Sequence, residues 1–437
     1  MLCLKCCAVP DFAKALRQLR PIPFAERPQG HLFQSSPPES LSQQLDYLKK
    51  RNPVPTRNSG LLPSEELPQG REEVTPYGRH YVVRNVFDGG YCHGKVRLGR
   101  FSCGDLRQLM LVMHEKGSVP ERDSIVFLDT ETTGMQGAGM VPFLVGLGYF
   151  EGDDFHMVQY FIRDFDEEPS MLHALGKWIE RFRLVVTYNG AAFDIPLLES
   201  RFTLARFDNP FAEMPHFDLL TGARRLWRNG HGSCRLVALE REIVSFPRGP
   251  DVPGARIPRV YFDFVNYGSS SELAGVFTHN IYDVISLAAL TVCACDAVTA
   301  EPAQFDNPSD LYSLARILEN TLEWKRCGPL YEMALAGGLP EPSRSKAAEN
   351  LSVLYRRSGD HERALAICEE LMLSPSFSLA AYVGAAVHHE RIAGDPIRAL
   401  EVVEHALSCL DEGPQHKRWR ALLQARRERL RQKVIPF

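Results

Sequence analysis

The order of apolar and polar positions divides the chain into three stretches. From residue 1 to 75 breaker clusters dominate, as in Gln34-Ser-Ser-Pro-Pro-Glu-Ser and Gly60-Leu-Leu-Pro-Ser-Glu-Glu-Leu-Pro-Gln-Gly. Two short amphipathic pieces, Phe12 to Leu19 and Leu41 to Lys50, are too isolated to build a core, so this stretch is expected to be a flexible leader. From 76 to 300 the period changes repeatedly. A strand-like segment runs to Phe87, and a helix is predicted over roughly Cys103 to His114. The β-branched run Ile125 to Leu128 reads as a buried strand. Val141 to Phe150 reads as a second, Gly152-Asp153-Asp154 as a hairpin turn, and Phe155 to Phe161 alternates as a third. Ser170 to Phe182 is an amphipathic helix with Leu172, Leu175, Trp178, Ile179 and Phe182 inward, followed by a strand at Leu184 to Tyr188 that Asn189-Gly190 ends. Three strands, a helix and a further strand predict an α/β mixed sheet flanked by helices.

Beyond a short linker at 301–308 strand signals vanish and helical periodicity takes over to residue 437. Gly359-Asp-His-Glu-Arg-Ala-Leu recurs as Gly394-Asp-Pro-Ile-Arg-Ala-Leu, a shift of 35 residues, close to the ~34-residue period of tetratricopeptide repeats. Glu323 to Ala336 reads as the second helix of an earlier, degenerate unit, and the basic segment Trp419 to Lys433 as a capping helix. Such repeats present a surface to a protein partner or act as a lid on a neighbouring domain; the pattern does not separate these.

Composition sharpens this picture in a few places. At 437 residues two or three domains are expected, and 44% apolar residues suffice for real cores. A net charge of −4 argues neither for nor against a nucleic-acid partner, because a local patch can differ from the total. No stretch is read as approaching the ~20 apolar residues of a membrane span, and the N-terminus lacks a secretory pattern. Eleven scattered cysteines, an odd number, suit reduced thiols and a cytoplasmic location. Cys3, Cys6 and Cys7 lack a second Cys/His pair at zinc spacing.

Candidate chemistry begins where the first buried strand ends, in Asp129-Thr-Glu131-Thr-Thr-Gly. Residues two apart on a strand face the same side, so both carboxylates aim at one point and repel unless a cation lies between them. Oxygen ligands favour magnesium or manganese. An acidic turn after a core strand would look the same. Asp194, in Ala191-Ala-Phe-Asp-Ile-Pro, falls at a predicted helix start, where a capping role is the alternative. His279 and Asp283, four apart on a helix, share a face, as an ordinary surface pair also would. His93, in Tyr91-Cys-His-Gly, reads as a structural loop histidine.

Taken in order, Asp-x-Glu-Thr-Thr-Gly, Asn-Gly-x-x-Phe-Asp and His-Asn-x-x-Asp-Val resemble the three motifs of the DEDD 3′–5′ exonuclease superfamily, over roughly residues 75 to 296. The likeness is to the YprB-like group, and Phe217-Asp-Leu-Leu-Thr-Gly, Asp251-Val-Pro-Gly and Tyr261-Phe-Asp-Phe extend it. It implies an RNase H-like sheet and four metal-binding carboxylates, Asp129, Glu131, Asp194 and Asp283, around two Mg²⁺ or Mn²⁺ ions. In this resemblance Asp129 bridges both ions, Glu131 and Asp194 complete the shell that activates water, and Asp283 holds the metal near Asp129. Superfamily members place a histidine five residues, or a tyrosine four residues, before the last Asp; here His279 stands four before it and is assigned as the base. Tyr282 lies off that face. Asp218 and Asp263 are read as structural, Asp218 being the better candidate to support the site.

A nucleic-acid enzyme also needs cations for phosphates. Between Arg201 and Arg259 there are ten Arg, no Lys and six acidic residues, with Trp227 and Phe246 interleaved. Arginine suits phosphate by its bidentate geometry, and aromatics can stack on unpaired bases. Trp227 is assigned to the core. Thr132 and Asn189, inside the first two motifs, and Arg224, Arg225 and Arg228 are the expected substrate contacts. The expectation is thus a leader at 1–75, an RNase H-like exonuclease domain at 76–300 acting on single-stranded DNA or RNA, and a tetratricopeptide-like domain at 301–437 that can engage a protein. The rival is an inactive nucleic-acid-binding or protein-interaction scaffold.

Overall fold

A computed structural model describes residues 67–101, 105–116, 120–134, 139–268, 271–319, 324–410 and 413–434. The amphipathic pieces at Phe12–Leu19 and Leu41–Lys50 and the group Cys3, Cys6 and Cys7 lie outside the described residues. Strands are β1 (Arg71–Thr75), β2 (Gly78–Phe87), β3 (Cys92–His93), β4 (Val96–Arg97), β5 (Ile125–Thr132), β6 (Pro142–Glu151), β7 (Asp154–Phe161), β8 (Leu184–Thr187) and β9 (His216–Asp218). Seven of them form one sheet in the order β1-β2-β7-β6-β5-β8-β9, and β3 with β4 makes a small separate ribbon. From β1 to β5 neighbours are antiparallel, whereas β8 runs parallel to β5 and β9 parallel to β8.

Residues 71–75, expected within the leader, form strand β1 instead. Arg71–Thr75 pairs along its length with β2. Its Arg-Glu-Glu-Val-Thr sequence is exposed on most sides, so it carries the charges of an edge strand rather than the apolar run of a central one.

Strand β5 separates two apolar layers because successive side chains alternate. Ile125 and Phe127 enter a core shared with helices α1 (Asp105–Met113), α4 (Leu219–Leu226) and the long α7 (Leu273–Thr299). Val126 and Leu128 enter a second core with α2 (Glu168–Ile179), α3 (Asp194–Ala205) and α6 (Ile257–Tyr267). A one-turn helix, α5 (Leu236–Leu239), continues into a wider turn at Glu240–Val244. Helix α7 corrects one expectation: it is long and apolar enough to cross a membrane, but most of its apolar window is buried against the sheet, as in a core helix.

The remaining helices are α8 (Pro308–Glu319), α9 (Trp324–Ala336), α10 (Ser343–Ser358), α11 (His361–Met372), α12 (Leu379–Arg391), α13 (Pro396–Cys409) and α14 (Lys417–Val434). They form consecutive pairs closed by a last helix. The repeated Gly-Asp has a mechanism: Gly359 and Gly394 take φ of 86° and 66°, ending a helix or turn left-handed. Asp360 and Asp395 then cap α11 and α13. The two regions are not insulated from one another. Leu311, Tyr312, Leu318 and Cys327 share one continuous core with Leu226, Trp227 and Ala288.

Candidate active site

The carboxyl ends of the parallel strands β5, β8 and β9 meet at one edge of the sheet, which is where open α/β sheets place their ligands. Asp129 and Glu131 lie on the β5 face that packs on α7. A register shift between Glu131 and Thr132 ends the regular pairing with β6. Thr130 points to the opposite face and donates to Asp194 Oδ1 at 2.5 Å. Asp194 is the first residue of α3, and its carboxylate is thus turned to the strand end rather than used as a simple cap.

Helix α7 supplies the other wall. Asn280 is fully buried and donates from Nδ2 to Asp129 Oδ2 at 2.9 Å. Its Oδ1 accepts from Gln159 Nε2 at 2.9 Å, so the amide cannot turn away. A Cβ at residue 146 would come within 2.2 Å of Asn280 Oδ1, so only glycine lets α7 approach β6 this closely. One turn on, Asp283 faces His279, whose Nε2 is 3.4 Å from Asp283 Oδ2 and 3.9 Å from Glu131 Oε1. The four-residue spacing therefore does bring this histidine to the carboxylates.

A further group was not assigned from the sequence. His279 Nδ1 donates to the Asp251 carboxylate at 2.9 Å. Arg248, only 6% exposed, pairs with Asp251 at 2.9 Å, with the fully buried Glu240 at 2.6 Å, and with Asp283. Asp251 was legible only as part of Asp-Val-Pro-Gly, and Arg248 only as one of the arginine group.

Burial dominates the electrostatics. It pushes Asp129 well above the carboxylate range, helped by the charges of Asp283, Glu131 and Asp194. It pushes Glu131 up to about 8 against the pull of His279, and Asp194 up to about 6 against the Thr130 hydrogen bond. For Asp283 burial is overcome by the His279 hydrogen bond and the Arg248 charge, which hold its carboxyl low. For His279 burial is likewise overcome, by Asp283, Glu131 and Asp251, and the imidazole rises to about 9. Glu131 Oε1 is buried without a hydrogen-bond partner. Ligand atoms of Glu131, His279 and Asp283 lie within 4.8 Å of one another. Crowded carboxylates with an orphaned oxygen fit divalent cations.

A cleft of about 730 Å³ opens from Asp129 and Asp283 and is lined by Tyr188, Asn189, Arg224, Arg228, Ser233 and Arg235. Asn189 takes a left-handed φ of 63°, and its N–H is held by Asp218 at 2.7 Å. Asp218 also caps α4, which accounts for its supporting place. Thr132 is partly buried, and its hydroxyl accepts weakly from the Gly134 N–H at 3.4 Å.

The arginines divide. Arg225 turns away and donates to the Val112 carbonyl at 2.8 Å, so its expected phosphate role is replaced by a structural one. Arg201, Arg241, Arg248, Arg256 and Arg259 are ion-paired. Trp227 is buried as expected. Phe246 packs on His93 at 3.8 Å and on Tyr282 at 5.3 Å, leaving neither aromatic free to stack on a base. His93 itself is fully buried and bonded to Ser286 at 2.7 Å, a core residue rather than a loop one. Asp263 makes a surface pair with Arg259 at 3.7 Å.

A mixed sheet flanked by helices, with acidic residues at its central strand end, is the architecture of an RNase H superfamily domain, and the family model for that superfamily matches residues 126–295. The domain is thus of nuclease type. The chain is also 30% identical over 335 residues to the uncharacterized protein YprB of Bacillus subtilis (strain 168), covering 74% of this chain and 80% of that protein. It belongs to the YprB family.

Proposed function

We propose that the chain is a divalent-metal-dependent nuclease that removes nucleotides from the 3′ end of single-stranded nucleic acid, and that its helical pairs are tetratricopeptide-like. The observation that carries this reading is that Asp129, Glu131, Asp194 and Asp283, from three elements, lie close enough for their charges to raise one another, with Glu131 Oε1 making no hydrogen bond among the described residues. These four residues would hold Mg²⁺ or Mn²⁺; two such ions stabilise the attacking and leaving oxygens of a phosphodiester displacement. The chain's own groups do the rest. Asn280 and Thr130 orient Asp129 and Asp194. The Asp251 carboxylate only accepts, so His279 Nδ1 carries a proton and Nε2 is the nitrogen turned to the carboxylates. With cations on the carboxylates that now hold this imidazole protonated, Nε2 would be freed to take a proton from the attacking water. The 3′ polarity is taken from the motif likeness to DEDD exonucleases.

The test uses 5′-labelled single-stranded DNA and RNA with Mg²⁺, Mn²⁺ or EDTA, beside Asp129→Ala. A metal-dependent ladder shortening from the 3′ end, absent in the variant, is expected. Cleavage of circular substrate would make the enzyme an endonuclease. No cleavage and no metal binding by the folded protein would sink the reading in favour of a scaffold.

A further inference from the structure

One wall of the cleft is built by residues of the segment 228–235, between α4 and α5, which belongs to none of the carboxylate motifs. Tyr188 pins this segment from the sheet side, its hydroxyl donating to the Cys234 carbonyl at 2.5 Å. Helix α8 and the residue before it pin the other end. Asn307 Nδ2 donates to the Gly230 carbonyl at 3.0 Å, and Asn229 Nδ2 donates to Ser313 Oγ at 3.1 Å. His231 is held between Glu242 at 3.0 Å and Asp310 at 3.2 Å. The fit is tight: a Cβ on Gly230 would lie 2.5 Å from Asn307 Nδ2 and 2.6 Å from Asp310 Oδ1.

The segment and α4 together present Arg224, Arg228 and Arg235 to the cleft. All three are exposed, and none has a carboxylate partner among the described residues. The carboxylates lining the cleft, Asp129 and Asp283, belong to the candidate metal centre. A row of unneutralised guanidinium groups beside that centre is a site for several phosphates of one strand.

We infer that Arg224, Arg228 and Arg235 form a phosphate-binding subsite for the nucleic-acid backbone beyond the cleaved nucleotide, and that Asn307 and Asp310 of the helical region position it. The inference rests on the nuclease reading for the identity of the strand. It makes the helical region a working part of the cleft, in addition to any surface it offers elsewhere. Asn307 and Asp310 are positioning residues.

Binding of a 5′-fluorescein-labelled dodecathymidylate is measured by anisotropy in EDTA over a series of salt concentrations. Arg228→Ala and Arg235→Ala, both at exposed positions, are expected to weaken binding about 5-fold each and to lower the salt slope by about one. Asn307→Ala and Asp310→Asn are expected to weaken it by about 3-fold or more with helicity unchanged. In Mn²⁺, hydrolysis of the p-nitrophenyl ester of thymidine 5′-monophosphate, which has no second phosphate to bind, is expected to fall less than strand binding does in Asn307→Ala and Asp310→Asn, which touch the segment and not the substrate. Wild-type-like binding and salt slope in Asn307→Ala and Asp310→Asn would overturn the positioning role. No binding by the wild type, or ester hydrolysis falling in step with binding, would overturn the subsite. If the wild type binds the strand but cleaves neither substrate, the nuclease reading fails while the subsite stands.

Discussion

Two buried carboxylate sites in this chain are treated in opposite ways. In the helical region Glu390, with 2% of its side chain exposed, meets Arg429 at 2.7 Å, Lys433 at 2.7 Å and Arg426 at 3.3 Å, all from α14. Burial disfavours its charge, but the Lys433 hydrogen bond and the arginine charges win and hold its carboxyl low. At the sheet edge Asp129, Glu131 and Asp194 are also buried, yet all three are pushed up. The helical site supplies its own cations and fastens the last helix to the stack. At the sheet site His279 and Arg248 compensate Asp283, but too little positive charge reaches Asp129, Glu131 and Asp194, which costs stability in the metal-free chain and reserves their oxygens for cations from solution.

The strongest way to break that contrast is to remove a central carboxylate. Asp129→Ala is expected to lower the rate of metal-dependent cleavage by about 10³-fold or more while the metal-free protein melts a few degrees higher, because a buried carboxyl that folding must either protonate or leave charged is gone. A variant that loses rate and melts lower would mean that Asp129 is a structural residue.

Asp251→Ala comes next. It frees the His279 ring and is expected to cut cleavage about 10- to 100-fold, with Asp251→Asn recovering part of the loss. Unchanged steady-state rates in Asp251→Ala would remove His279 from the chemistry.

Stability against pH sharpens the comparison further. Folded Glu131 and Asp194 hold protons more tightly than unfolded ones, so their contribution is present below the ordinary carboxylate range. It is lost as pH rises through about 6 for Asp194 and about 8 for Glu131. His279 acts in the same direction, its contribution being lost as pH climbs through about 9. Asp283 is the reverse case and loses its contribution only as pH falls. The melting temperature in EDTA should therefore fall between about pH 5 and pH 8, and Mn²⁺ should flatten the fall. A flat curve in EDTA would contradict the uncompensated charge.

Two smaller effects bound the contrast from the helical side. Glu390→Gln is expected to cost about 2 kcal/mol in denaturant unfolding and to leave cleavage within twofold, since it loosens α14 alone. Arg259→Ala, an exposed pair with Asp263, is expected to change stability by less than about 0.5 kcal/mol.

What could be read from residues alone follows the range of the interactions. Strands β5 to β8, α3 and α7 announce themselves by local periodicity, and the carboxylate motifs are short enough to be seen whole. Strand β1 was hidden because an edge strand needs no apolar run. Arg248 and Asp251 were invisible as site residues because their partners Asp283 and His279 lie about thirty positions away, with no period linking them. Arg225 was misplaced because helical spacing alone does not say which of two neighbouring arginines turns inward. The lid reading of the helical region was left open for a similar reason, and its shared core with Trp227 shows that a break in composition at 301–308 marks a change of pattern and not a gap in packing.

The central claim is that the sheet edge reserves its carboxyl oxygens for divalent cations. The most direct measurement is Mn²⁺ binding by electron paramagnetic resonance at neutral pH, on the wild type, Asp129→Ala and Glu390→Gln. Two ions bound by the wild type and by Glu390→Gln, with binding lost in Asp129→Ala, is the predicted result. No Mn²⁺ bound by a folded wild type, or equal binding in Asp129→Ala, would contradict it.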